Sequence, residues 1–162
     1  MSYNIQYGLA YSGRMSDVVG GEDDPHSLVS VLTLNDTLIK QGELYSLRYR
    51  VLNEKGWSQF SPETIVIAAD PPSQPDMPSL ESASSSSIVL DFVTSTIDNN
   101  GASITSYRLE MKDQSSEFSE VSSYPAEGSI QHTLTAADGI QEGSIYTFRW
   151  FAANSVGESQ SS

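Results

Sequence analysis

The chain has 162 residues, 38% of them hydrophobic and 18% charged, enough for one ordinary domain or two small ones. Lys and Arg together number 8 against 21 Asp and Glu, a formal net charge of −13. A basic face for neutralising phosphates is therefore not expected, nor is nucleic acid as a partner.

Cysteine is absent, which removes disulfides, thiolate metal sites and thiol catalysis. No apolar run approaches the roughly 20 residues of a membrane-spanning helix. Met1 is followed by polar SYNIQYG, which lacks the basic and then apolar pattern of a secretory leader.

Taken in order, the elements are short strands separated by Gly, Asn and Ser clusters. Gly20-Gly21-Glu22-Asp23-Asp24 reads as an acidic loop; it lacks the ligand spacing of an EF-hand and is expected to be solvated. Asn35-Asp36-Thr37 is an N-x-T sequon, making Asn35 a candidate glycosylation site. LYSLRYRV sets Leu44, Ser46, Arg48 and Arg50 against Tyr45, Leu47, Tyr49 and Val51, the period of a strand with one buried face.

In AADPPSQPDMPSL, Pro72, Pro75 and Pro78 fall at polyproline II spacing, flanked by Asp70 and Asp76. The stretch is expected to be a stiff linker leading into an edge strand. The run Ser84 to Ser87 suits a loop before SIVLDFV, which groups Ile88, Leu90 and Phe92. Asp98 to Gly101 reads DNNG, a turn tolerant of positive φ. SYRLEM then groups Tyr107, Leu109 and Met111, and IYTFRWFA groups Tyr146, Phe148, Trp150 and Ala152. No helical period is evident. His26 and His132 have no partner at metal-binding spacing, and surface or edge positions are expected for both.

An internal repeat organises these elements. Ile39 to Ser61 and Ile140 to Ser162 share I-x-x-G-x-x-Y followed by N-x-x-G-x-S, at an offset of 101 residues. Gly42, Tyr45, Asn53 and Gly56 thus match Gly143, Tyr146, Asn154 and Gly157. Upstream, SYNIQYG at Ser2 matches SYRLEMK at Ser106, at an offset of 104. The unit is about one hundred residues, and the chain does not begin and end at unit boundaries.

This pattern resembles the fibronectin type III domain. The resemblance rests on Ile140, Gly143, Tyr146, Phe148, Trp150, Ala152, Asn154, Gly157 and Ser159, on the matching first-copy residues, and on Pro78, Leu80, Ile88, Leu90 and Phe92 for the first two strands. Phe92 stands where the family usually has Trp. The resemblance implies an all-β fold of tandem seven-stranded antiparallel sandwiches, with residues 1–70 a partial domain and 71–162 a domain lacking its last strand.

On that mapping the first copy begins at the third strand. Its uncovered face would need residues outside these 162, or a neighbouring chain. The 162 residues alone are then expected to fold the second unit poorly and the first hardly at all. Tyr45 and Tyr146 would be tyrosine corners, with hydroxyls bonded to backbone a few residues upstream, and Gly42 and Gly143 would make the turn between sheets.

Trp57-Ser58-Gln59-Phe60-Ser61 resembles the WSxWS motif of cytokine-receptor domains of this fold, which implies an Arg–aromatic surface ladder of Arg48, Arg50, Trp57 and Phe60. The second copy has Glu158 and Ser161 at the aromatic positions, so no general ladder is expected.

No nucleophile elbow, phosphate loop or paired acid and base appears, so neither catalysis nor a cofactor nor a metal is expected. The resemblance implies a structural spacer in a long extracellular or surface fibre protein, with neighbouring repeats and other copies in a filament as partners. The alternatives are an adhesive or receptor ectodomain that binds protein or glycan, and a cytoskeletal or axonemal scaffold. No Arg-Gly-Asp triplet supports integrin binding.

Overall fold

The computed structural model describes residues 2–21, 28, 31–35, 37–126, 128 and 130–162. The acidic loop residues Glu22, Asp23 and Asp24, together with His26 and the sequon's Asp36, lie outside the described residues. The chain divides into two compact units, Met1–Ala69 and Asp70–Ser162.

The first unit contributes β1 (Ser2–Leu9), β2 (Ser16–Val19), β3 (Leu44–Asn53), β4 (Gly56–Trp57) and β5 (Thr64–Ile67). They form one antiparallel sheet in the order β2-β1-β3, with β4 and β5 both pairing with β3 on its far side. β4 meets the end of β3 through Leu52 and Asn53, and β5 meets its start through Leu44 to Leu47.

Register places Tyr45, Leu47, Tyr49 and Val51 opposite Leu9, Tyr7, Ile5 and Tyr3, so one face of the sheet is apolar. Tyr7 and Tyr45 stack at 6.2 Å between centroids. Much of the face stays open: Tyr3, Ile5, Leu32, Leu34, Leu47 and Tyr49 line a concavity of about 810 Å³.

The second unit contributes β6 (Ser79–Ala83), β7 (Ser87–Phe92), β8 (Ile104–Asp113), β9 (Ser119–Pro125), β10 (Ile130–Thr135) and β11 (Tyr146–Asn154). These form two three-stranded antiparallel sheets, β10-β7-β6 and β11-β8-β9. The serine run makes the β6–β7 turn: Ser84 N–H donates to Ser87 O, and its hydroxyl accepts from the amides of Ser86 and Ser87. The DNNG turn places Asn100 at φ 51° and Gly101 at φ 92°, a region open to Gly and tolerated by Asn. One short 3-10 turn, Ala136–Asp138, follows β10 and is capped reciprocally by Thr135 and Asp138.

The core between the two sheets holds Leu90, Phe92, Tyr107, Leu109, Ile130, Leu134, Trp150 and Ala152. These are the inward positions that a period of two assigns to each strand. Trp150 is the hub, edge-on to Phe92 at 5.1 Å and tilted against Tyr107 at 5.5 Å. Phe92 supplies the aromatic contact that a tryptophan would otherwise make from β7.

The proline-rich stretch is not a free linker. Ser73 N–H donates to Asp98 O, Gln74 Nε2 to Ser161 O, and Trp150 Nε1 to Asp76 O at 2.6 Å. Pro72 and Pro75 are buried. Polyproline spacing prevents this segment from pairing as a strand, yet its carbonyls stay available, and the second unit uses them.

Candidate functional site

Two kinds of position carry the chemistry that the sequence singles out: the tyrosines at the start of β3 and β11, and the outward faces of those strands.

Before each tyrosine the chain reverses at a glycine with positive φ, Gly42 at 85° and Gly143 at 78°. The Tyr146 hydroxyl then accepts from Gln141 N–H at 2.7 Å and donates to Gly139 O at 3.1 Å. The Tyr45 hydroxyl accepts from Lys40 N–H at 2.9 Å. Each phenol ties the turn before its strand to the strand itself. Tyr146→Phe removes two such bonds and is expected to destabilise the second unit by about 1–2 kcal/mol. Urea denaturation checks this, and an unchanged midpoint would show that solvent replaces the hydroxyl without cost.

On the outer face of the first unit, Arg48 and Arg50 project from β3. Arg50 lies over Trp57 at 4.6 Å and over Phe60 at 4.7 Å, and Arg48 lies over Phe60 at 4.3 Å. The residues therefore alternate as Trp57, Arg50, Phe60, Arg48, with Glu63 next, 3.6 Å from Arg48. Phe60 reaches its place because the chain between β4 and β5 runs beside β3 with alternate pairing. Ser58 N–H donates to Val51 O and Ser61 N–H to Tyr49 O, while the two hydroxyls accept from Val51 N–H and Tyr49 N–H.

The ladder continues across the sheet. Arg50 Nε donates to Asn4 Oδ1 at 3.0 Å and Arg48 Nε to Gln6 Oε1 at 2.9 Å. Both carboxamides then donate to Asp17 Oδ1 on β2, at 2.7 and 2.9 Å. Those hydrogen bonds from Asn4 and Gln6 hold the Asp17 carboxyl below the ordinary aspartate range, helped by the Arg50 charge. One connected network thus spans four strands.

The second unit carries a ladder too, contrary to the expectation from Glu158 and Ser161. Arg108 lies over Phe151 at 4.1 Å, and Arg149 lies over Phe118 at 3.9 Å and Phe151 at 5.4 Å. Lys112 Nζ is 4.8 Å from the Phe118 ring centre. Arg108 donates through Nε and Nη2 to the two oxygens of Glu158, at 2.9 and 2.6 Å. Arg149 Nε donates to Glu110 Oε2 at 2.6 Å, and Arg108 also pairs with Glu110. Burial raises the Glu110 pKa, but hydrogen bonds from Arg149 and Arg108 outweigh it and hold the carboxyl below the ordinary range.

The physical reason for the miss is a permutation of roles at matching positions. The first unit has Asn4, Arg50 and Trp57 where the second has Arg108, Phe151 and Glu158. The cation has moved from β3 to β8, the counterpart of β1, and the aromatic ring from β4 to β11, the counterpart of β3. A search for aromatic residues at fixed offsets fails on this exchange. Reading cross-strand triplets would have found it, through outward Arg108 and Glu110 on β8 beside Arg149 and Phe151 on β11.

Asn35 is exposed in a turn and its Oδ1 accepts from the Thr37 hydroxyl. Among the described residues, no group of three or more His, Cys, Asp or Glu side chains is placed to hold a metal ion.

No family model matches the chain. Among solved structures, the FN1–FN3 domains of chicken CNTN1 are similar over 99% of this chain, with a TM-score of 0.53 and 17% identity. Domains from titin are similar over 99% of it, with a TM-score of 0.57 and 16% identity. The chain spans about half of each, 52% and 51%. These likenesses show the fold: all-β with antiparallel sheets, like that of tandem fibronectin type III domains.

Proposed function

We propose that this chain is a non-enzymatic spacer, a segment of a long tandem-repeat protein of the cell surface or extracellular fibres. Its partners are the neighbouring repeats of the same protein and other copies in a filament.

The observation that carries this reading is how little chain is left untied at the junction. On one side, Ala68 N–H donates to Glu43 O at 2.9 Å, and Ala68 O accepts from Gly42 N–H at 2.7 Å. On the other, Asp70 N–H donates to Asn100 O at 3.1 Å, and Asp70 O accepts from Asn154 Nδ2 at 2.8 Å. Only Ala69 separates the two anchored residues. A module that transmits position along a polymer needs so short a hinge, whereas a flexible tether needs a run of untied residues. The net charge of −13 keeps such a polymer soluble. An exposed sequon at Asn35 suits the extracellular side.

The test measures hinge freedom directly. The chain lacks cysteine, so Glu54→Cys and Glu142→Cys take one spin label in each unit without further changes. Double electron–electron resonance is expected to give one narrow distance distribution, which two glycines inserted after Ala69 broaden. A native distribution as broad as that of the insertion variant would overturn the spacer reading.

A further inference from the structure

Each sheet of the second unit has a strand at its edge on the side where β9 joins β10. β9 is the edge of β11-β8-β9, and β10 is the edge of β10-β7-β6. The two edges are fastened by one aromatic pair: Tyr124 of β9 meets His132 of β10 at 5.6 Å between centroids, with planes at 73°. His132 sits between Ile130 and Leu134 on the inward face of β10, both of them buried. Tyr124 packs against the same core.

The polar atoms of this pair are unusual. Among the described residues, Tyr124 Oη and His132 Nε2 are the buried side-chain atoms without a hydrogen-bond partner. Orphaned buried polar groups are rare, because each forfeits its hydration without replacement.

We propose that the Tyr124–His132 contact is an acid-sensitive latch, closed when the imidazole is neutral and released when it takes up a proton, freeing the β9–β10 edge.

The surroundings give the direction. Burial pulls the His132 pKa below the ordinary histidine value, while the Asp138 charge acts weakly the other way. Asp138 is already engaged, since its Oδ2 accepts from Thr135 N–H at 2.8 Å and from the Thr135 hydroxyl at 3.2 Å. From β7 the cross-strand partner is Leu90, which carries no charge. From β9 the facing group is the Tyr124 phenol, itself kept neutral because burial raises its pKa. The Ser122 hydroxyl lies near it without hydrogen-bond geometry. Of these groups Asp138 alone carries a charge that favours an imidazolium, and its effect is smaller than that of burial.

The sign follows from linkage. The closed state has the depressed pKa and the open state the ordinary one, near 6.5. The latch is therefore intact above about pH 6.5. It weakens as pH falls from there to the closed-state value, by up to about tenfold in the open population per pH unit.

Release would loosen β9 and β10, which are already sheet edges, and free their outer backbone groups to meet another strand. The latch thus offers a route from an isolated unit at neutral pH to strand-to-strand association in acid.

The experiment is an NMR titration of the full 162-residue chain from pH 7.5 to 5, following the His132 ring and backbone relaxation dispersion. The expected result is exchange broadening that grows with acid and is confined to residues 119–135. It should be absent at every pH in His132→Phe. Because that variant could pack differently, His132→Gln serves as a second neutral side chain. An ordinary His132 titration without broadening overturns the proposal, and so does equal broadening in both neutral variants.

Discussion

Replacing Trp150 with alanine is expected to cost the second unit about 4–6 kcal/mol, while Tyr49→Ala at the matching position leaves the first nearly unchanged. The two residues hold matching registers, Tyr49 on the apolar face of β3 and Trp150 on the inward face of β11. Trp150 is 1% exposed and Tyr49 is 54% exposed. Trp150 touches Phe92 and Tyr107 and donates its indole N–H to Asp76 O. Truncating a core Trp costs about 3–5 kcal/mol, from lost transfer energy and the cavity left behind. Losing the hydrogen bond strands a carbonyl and adds about 1 kcal/mol. Domains of this size hold about 5–15 kcal/mol in all, so between about a quarter and all of it disappears. Tyr49 has little cover to lose, and its change should stay within about 1 kcal/mol. Urea unfolding followed by circular dichroism checks both variants. Equal losses in the two would mean that the open face of the first unit is covered in solution.

Asn154→Ala is expected to cost about 3 kcal/mol or more, whereas Asn53→Ala costs less than about 1 kcal/mol. The two asparagines hold the same place in the repeat. Asn154 is 7% exposed and fully engaged. Its Nδ2 donates to Asp70 O at 2.8 Å and Asn99 O at 3.1 Å, and its Oδ1 accepts from Val156 N–H at 2.9 Å and Gly157 N–H at 3.1 Å. Truncation leaves Asp70 O and the amides of Val156 and Gly157 without this partner, while Asn99 O keeps its bond from Ala102 N–H at 3.2 Å. Asn53 is exposed, and its Oδ1 accepts from Lys55 N–H alone among the hydrogen bonds that it makes by side chain. Asn154→Asp separates the halves of the effect, because it keeps the acceptors and removes both donors. The readout is the urea midpoint of the second unit. If Asn154→Ala and Asn53→Ala shift their units alike, water replaces the side chain, and the turn at Val156 and Gly157 does not depend on it.

Acting through Asp70, Asn154 also joins the stability of the second unit to the anchoring of the junction. A loss in the alanine variant should therefore appear in the spin-label distances as well as in the urea curve. The two measurements separate a spacer whose hinge is tied from one whose units merely fold side by side.

What the sequence determined by itself was the identity and facing of β3, β7, β8 and β11, while β2, β9 and β10 carried no signal that was read. A period of two is a local property of the chain, and burial follows it wherever a second sheet is present. That is why Leu90, Phe92, Tyr107, Leu109, Trp150 and Ala152 could be read as inward and are buried. The tyrosine positions were legible through the family resemblance, which the I-x-x-G-x-x-Y spacing carries in both copies. The strand mapping also anticipated an uncovered face on the first unit, where Tyr49 is open. Tertiary structure alone decided two other matters. It turned the proline stretch from a linker into part of the second unit, because carbonyl acceptors have no sequence signature. It also built the second ladder from Arg108, Phe151 and Glu158, because cross-strand neighbours are set by register, and register joins residues some 50 positions apart.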